Sequence, residues 1–214
     1  MHIYFISGIG ADERMFSKLK LAAGSYTFLP WLKPLPQETM QSYAIRMCQK
    51  IQHKEFALVG LSFGGMIAME MARIVEVKKL ILLSSAACYA HLPWWIRIAG
   101  KLQLHKLVPS YFLHNTNFLM YRIFGATTKD AKQLLAATMK EADTILLQWS
   151  MNAIVTWRQQ APLPYMAIHG TKDRLLPQPL HRINFCIEQC GHLMVFCNAE
   201  QVSELIIKAL DTDI

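Results

Sequence analysis

Residues 56–66 read Phe56-Ala57-Leu58-Val59-Gly60-Leu61-Ser62-Phe63-Gly64-Gly65-Met66, and this stretch decides the fold. Its first half is a near-continuous apolar run, which suits a strand covered on both faces by helices. From Met66 to Ile74 the apolar residues recur at helical spacing. The sequence Gly60-Leu61-Ser62-Phe63-Gly64 therefore sits on a sharp strand-to-helix turn. Small residues two before and two after the serine relieve crowding there. The turn lifts the Ser62 hydroxyl above the sheet edge, over a helix N-terminus with free N–H groups and partial positive charge. A five-residue pattern also arises by chance, with a structural serine in a glycine-rich turn. The strand before, the helix after and the extra Gly65 weigh against that reading.

Moving outward, short apolar strands alternate with helical patterns, the signature of βαβ units and a parallel sheet. Strands are predicted near 2–7, 25–30, 56–61, 79–84, 164–169 and 183–188. Helices fit near 12–22, 38–53, 64–75 and 199–211. In the second of these, Met40, Tyr43, Ala44, Met47, Cys48 and Ile51 define one apolar face. Residues 88–161 break the alternation. They hold no clear strand and read as helices near 92–106, 110–124, 128–141 and 142–159, rich in aromatic residues. The expected division is a core of 1–87 and 162–214, with 88–161 as a helical cap inserted after the fourth strand.

A serine hydroxyl is a weak nucleophile and needs a base, itself oriented by a third group. On a strand–turn–helix serine of this kind the chain order should be serine, acid, histidine. Tyr165-Met166-Ala167-Ile168-His169-Gly170 is a strand ending in a turn, and Thr171-Lys172-Asp173 follows. Asp173 thus lies just past the C-terminal end of a strand, on the edge where ligands gather in open α/β sheets. Its ordinary alternative is a turn former. After the last strand comes Gly191-His192, a tight loop from which His192 can reach back toward Ser62. The other histidines have no such context, and His169 reads as shaping its turn. Two backbone N–H groups should bind a developing oxyanion. One is that of Phe63, after the nucleophile, and the other that of Ile9, between Gly8 and Gly10. Asp12 reads as the N-cap of the next helix.

The totals bound the class. The chain has 214 residues, 53% hydrophobic and 17% charged, with net charge +7, as expected of one globular domain. No apolar run reaches the ~18 residues of a membrane span. The N-terminus reads as a strand rather than a signal peptide, so a cytoplasmic location is expected. Cys48, Cys88, Cys186, Cys190 and Cys197 are odd in number and scattered, unlike a disulfide framework. Their spacing with His192 fits structural zinc poorly, so no metal is expected. No basic run with interleaved aromatics points to nucleic acid.

Together the Ser62 turn, the His169-Gly170-x-x-Asp173 turn with Pro177 and the Gly191-His192 loop resemble the α/β-hydrolase superfamily. Small single-domain esterase-like members with a helical cap are the nearest in kind. The resemblance covers nearly the whole chain and implies a three-layer α/β fold of about six parallel strands, the second at one edge with the first beside it. It implies a catalytic triad of Ser62, Asp173 and His192, an oxyanion hole of Ile9 and Phe63, and cleavage of an ester or thioester through an acyl-enzyme without a cofactor. One departure is Ser7-Gly8, where many relatives have His-Gly, which leaves open how the loop after the first strand is ordered. Trp94, Trp95, Phe112, Tyr121 and Trp149 are candidate walls of an apolar substrate pocket, with ordinary helix packing as the alternative. Residues 88–161 carry eight Lys/Arg against three acids, net +5. This fits an anionic substrate or a solvated helix face equally. Lyase, C–C hydrolase or haloperoxidase chemistry on the same fold stays open, as does a ligand-binding receptor with a vestigial site.

Overall fold

The computed structural model describes residues 1–22, 25–107, 109–159 and 161–212, with the backbone alone for Ser110, Phe112 and Leu180. Six parallel strands form one sheet: β1 (His2–Ile6), β2 (Tyr26–Phe28), β3 (Phe56–Leu61), β4 (Lys79–Leu83), β5 (Met166–Gly170) and β6 (Phe185–Ile187). Their order is β2-β1-β3-β4-β5-β6. β2 is the edge strand beside β1, as the resemblance implied. Register pairs Ile6 with Gly60 and Leu61 with Leu83, so β1, β3 and β4 end together at one edge.

Successive side chains of a strand point to opposite faces, and the core divides accordingly. Ile3, Phe5, Val59, Leu61, Ile81 and Leu83 pack on one side, with Val202, Ile206 and Ala209 of α9 (Ala199–Asp211). Tyr4, Ile6, Leu58, Leu80 and Leu82 pack on the other. There they meet α1 (Met40–Cys48) and α2 (Phe63–Met71). Thr39 opens α1 through a capping box with Ser42. Every residue of α2 is buried, which suits a helix that is apolar or glycine all round except at Glu70, whose carboxylate accepts the Trp157 indole N–H. The result is a three-layer α/β sandwich.

Between β4 and β5 lie α3 (Trp94–Lys101), α4 (Ser110–His114), α5 (Phe118–Phe124), α6 (Lys129–Glu141) and α7 (Thr144–Thr156). Three expectations need correction. The helix predicted at 92–106 ends at Lys101, and after Gln103 at φ 54° the chain makes a separate 3₁₀ turn, Leu104–Leu107. The predicted helix at 12–22 is only a 3₁₀ turn, Glu13–Phe16, capped by Asp12. Met15 and Phe16 reach the core, and the Lys20 N–H then donates to Ser203 Oγ at 2.8 Å, so the chain bonds to α9 rather than coiling on itself. The single helix predicted at 110–124 is two. Asn117 caps α5 by accepting from the Met120 N–H at 3.0 Å. A side chain that bonds its own backbone favours a cap over a helix interior. The short α8 (Met194–Cys197), directly after the His192 loop, was not predicted.

Candidate active site

Ser62 sits at φ 53°, ψ −120°, immediately before α2. A non-glycine residue is held there only when its surroundings dictate it. The surroundings are tight. A Cβ on Gly64 would collide with the carbonyls of Ile6 and Ser7, and one on Gly60 with the backbone of Gly65. The turn is tied down from behind, where the Ser62 N–H donates to the Leu83 carbonyl at 2.9 Å and Ser85 Oγ donates to the Ser62 carbonyl at 2.6 Å.

Backbone bonds bring the other two residues to it. The Thr171 N–H donates to the Ile187 carbonyl at 3.0 Å and the Lys172 N–H to the Cys190 carbonyl at 2.8 Å. The loops after β5 and β6 therefore run side by side. His192 Nε2 lies 2.9 Å from Ser62 Oγ, and His192 Nδ1 lies 2.8 Å from Asp173 Oδ2. An ionised carboxylate only accepts, so Nδ1 carries the proton and Nε2 is the free acceptor for the serine hydroxyl. All three side chains are buried.

Asp173 is held on every side. Its Oδ1 accepts the Leu175 and Leu176 N–H groups, each at 2.9 Å. Its Oδ2 also lies 3.0 Å from His169 Nε2. Burial pushes the carboxyl up, but the electrostatic attraction and hydrogen bonds of His192 and His169 outweigh it. They hold the group well below the usual carboxylate range. His169 thus does more than shape its turn: it braces the carboxylate and also bonds the Leu176 carbonyl at 2.9 Å. The spacing His169-x-x-x-Asp173 was a readable sign of that contact.

The loop after β1 abuts the serine. A Cβ on Gly8 would stand 3.4 Å from Ser62 Cβ. The Ile9 and Phe63 N–H groups have no acceptor among the described residues. Both remain available to a ligand, and Phe63 opens α2, where orphan donors are expected. Ser7 orders this loop without an imidazole, since its Oγ donates to the Ala11 carbonyl at 2.6 Å. The Trp31 indole N–H adds bonds to the Gly8 carbonyl at 3.2 Å and the Ala11 carbonyl at 3.0 Å. Trp31 was not singled out in the sequence, because it lies 20 residues away in a proline-flanked stretch with no motif.

The model of the alpha/beta hydrolase family matches residues 3–205. This chain belongs to that family. Solved structures agree on the fold. An esterase from Thermogutta terrifontis superposes with a TM-score of 0.70 at 16% identity, covering 99% of this chain and 91% of that one. A lipase-esterase related protein from Clostridium acetobutylicum gives 0.67 at 18%, covering 97% and 93%. A candidate non-heme bromoperoxidase from Mycobacterium tuberculosis gives 0.68 at 16%, covering 98% and 92%. No curated protein matches the chain in sequence.

In this hydrolase the space at Ser62 is small, a cavity of about 20 Å³ between Gly8, Ile9, Met15, Phe124, Leu135, Thr138 and Leu193. That is room for about one water molecule. Phe124 of α5 stands edge-on to the His192 ring, with centroids 5.7 Å apart, and its carbonyl accepts the Leu193 N–H at 2.9 Å. The aromatic residues expected in the pocket lie elsewhere. Trp149 is buried behind the turn against Tyr43 and Phe63, with its indole N–H on the Glu38 carbonyl at 2.8 Å. Tyr121 bonds Thr116 and lines an outer cleft. Trp94 and Trp95 face solvent on α3. The Phe112 side chain lies outside the described residues. An apolar helix pattern cannot tell inward from outward, which hid Phe124 and Leu135, and Leu193 lies in the loop after His192, where no periodicity marks it.

Among the described residues no group of three or more His, Cys, Asp or Glu could hold a metal ion, and no helix is long and apolar enough to cross a membrane. Cys190 bonds Asn198 Oδ1 at 2.8 Å, and burial pushes its thiol up to about 11.

Proposed function

We propose that this chain is a serine hydrolase that cleaves an ester or thioester of a small apolar acyl group through an acyl-enzyme. The observation that carries the reading is the continuous chain Ser62 Oγ, His192 Nε2, His192 Nδ1, Asp173 Oδ2, with links of 2.9 and 2.8 Å. As Ser62 Oγ attacks the carbonyl carbon, His192 Nε2 takes its proton, and Asp173 stabilises the imidazolium. The carbonyl oxygen gains the negative charge and is received by the Ile9 and Phe63 N–H groups. His192 then returns the proton to the leaving alcohol or thiol. In the second half it deprotonates water, whose oxygen attacks the acyl carbon, and it hands that proton to Ser62 Oγ as the acyl C–O bond breaks, releasing the acid. Every step uses this chain's own groups.

The α3–α7 segment acts as the cap. Its members over the serine are Phe124, Leu135 and Thr138, and α5 must shift to admit an acyl chain into so small a space. An apolar lining gives selectivity of about 0.8 kcal/mol per added CH₂ until the space is full. The test is labelling with a fluorophosphonate and turnover of p-nitrophenyl esters from acetate to octanoate. Wild type should label once, and Ser62→Ala should not label and should lose about 10⁴-fold or more in kcat. Undiminished turnover by a folded Ser62→Ala protein would refute the assignment. Activity flat across the ester series would refute the enclosed apolar site.

A further inference from the structure

Most of the exposed large apolar side chains among the described residues fall between Trp94 and Leu119. Helix α3 is the extreme case, with none of its residues buried. Its neighbour is α7, and there the approach is close: a Cβ on Gly100 would stand 2.7 Å from Val155 Cβ. At about 100° per residue, Ile96 and Gly100 share the side toward α7. Trp94, Ile98, Leu102 and Trp95 fall within one arc of about 100° on the opposite side. These four are exposed by 63%, 45%, 64% and 41%. The chain continues into a 3₁₀ turn, Leu104–Leu107, with Leu107 exposed by 76%. This outer face is thus more apolar than the inner one, the reverse of a solvated helix.

The charge along this part of the chain has one sign. Lys101 borders the apolar arc on the Trp94 side, and Lys106 is exposed on the turn that follows. From Val77 to Lys129 the sequence has no aspartate or glutamate, and α7 has none either. Tryptophans next to an apolar stripe with flanking lysines and no acids form the composition of a surface that lies in a lipid headgroup layer. We propose that the outer face of α3 and the turn after it is a docking surface for an anionic lipid bilayer. A second copy fits less well. A two-fold contact over this face would bring the lysines of both copies into one interface, with no acid between Val77 and Lys129 to meet them. The proposal is independent of the hydrolase reading and needs no activity to test.

The experiment is co-sedimentation of the full chain with large unilamellar vesicles. One set is equimolar phosphatidylglycerol and phosphatidylcholine, the other phosphatidylcholine alone. Wild type should pellet with the anionic vesicles at least tenfold more strongly than with the neutral ones, and less as salt is added. Trp94→Ser with Trp95→Ser, and separately Lys101→Glu with Lys106→Glu, should each weaken anionic-vesicle binding at least tenfold while keeping the wild-type thermal midpoint. Equal binding to both vesicle types, or none to either at low salt, overturns the proposal. So does binding by both folded double variants at the wild-type level. A wild-type dimer in sedimentation velocity that Trp94→Ser with Trp95→Ser converts to monomer, with no vesicle binding by either, assigns the face to a second copy instead.

Discussion

Two pairs of tryptophans divide the helices between β4 and β5. Trp149 and Trp157, in and just after α7, are 9% and 3% exposed, and each donates its indole N–H at 2.8 Å, to the Glu38 carbonyl and to Glu70 Oε1. Trp94 and Trp95, in α3, have no such partner among the described residues and lie open. The two halves are similarly rich in apolar residues. What differs is where their partners are. α6 and α7 send Leu135, Thr138, Leu147 and Trp149 onto the Ser62 turn and the loop after β1. α3 touches chiefly α7 and leaves its other face without cover. One half is core that happens to be helical, and the other is surface that happens to be apolar.

The largest test of this contrast is stability. Trp157→Ala should cost about 3–5 kcal/mol, from lost packing and an unpaired Glu70. Trp94→Ala should stay within about 0.5 kcal/mol of wild type. Urea unfolding of both variants measures the difference, and equal losses would break the division. A pair of glycines sharpens it next. Gly125, at φ +71° after α5, faces Gly191, and a Cβ there would stand 2.9 Å from Gly191 Cα and 3.3 Å from the His192 N–H nitrogen. Gly125→Ala should therefore cost about 1–3 kcal/mol and also lower kcat by displacing His192. Gly100→Ala, which pushes α3 off Val155, should cost a similar ~1–3 kcal/mol from overpacking and leave kcat near wild type. Equal kcat losses would show that α3 is coupled to the site.

The smallest effect concerns His91, half-buried at the entry to α3. Burial first, then Arg182 and His181, push its imidazole down from 6.5 to about 4. Between those values the unfolded chain binds a proton that the folded one refuses, so this group's contribution is full above pH 6.5 and is lost as pH falls toward 4. Thermal midpoints measured from pH 7 to 4 should fall less steeply for His91→Gln than for wild type. Identical slopes would place His91 in solvent, with the rest of the outer half.

Much of the site was legible because its signals are local. Ser62 needs small neighbours on a tight turn, Asp173 and His192 follow strand ends, and Ser7-Gly8-Ile9 closes β1. Each is fixed by backbone sterics within a few residues. The braces were less legible. His169 left only the four-residue spacing to Asp173 as a sign, and Trp31 bonds the Gly8 and Ala11 carbonyls from 20 or more residues away, a pairing of which the local sequence gives no sign.

By itself the sequence determined the layers and the sheet edge where the candidate site lies. Alternating apolar strands and helices with glycine-marked turns admit few other arrangements. Tertiary structure alone decided which helical aromatics face the core. An apolar helix stripe states that something must cover it and not what does. That choice depends on contacts between residues far apart in the chain, such as Trp157 with Glu70 and Phe124 with His192. Trp94 and Trp95 carry the same local signal as Trp149 and end on the opposite side of the balance.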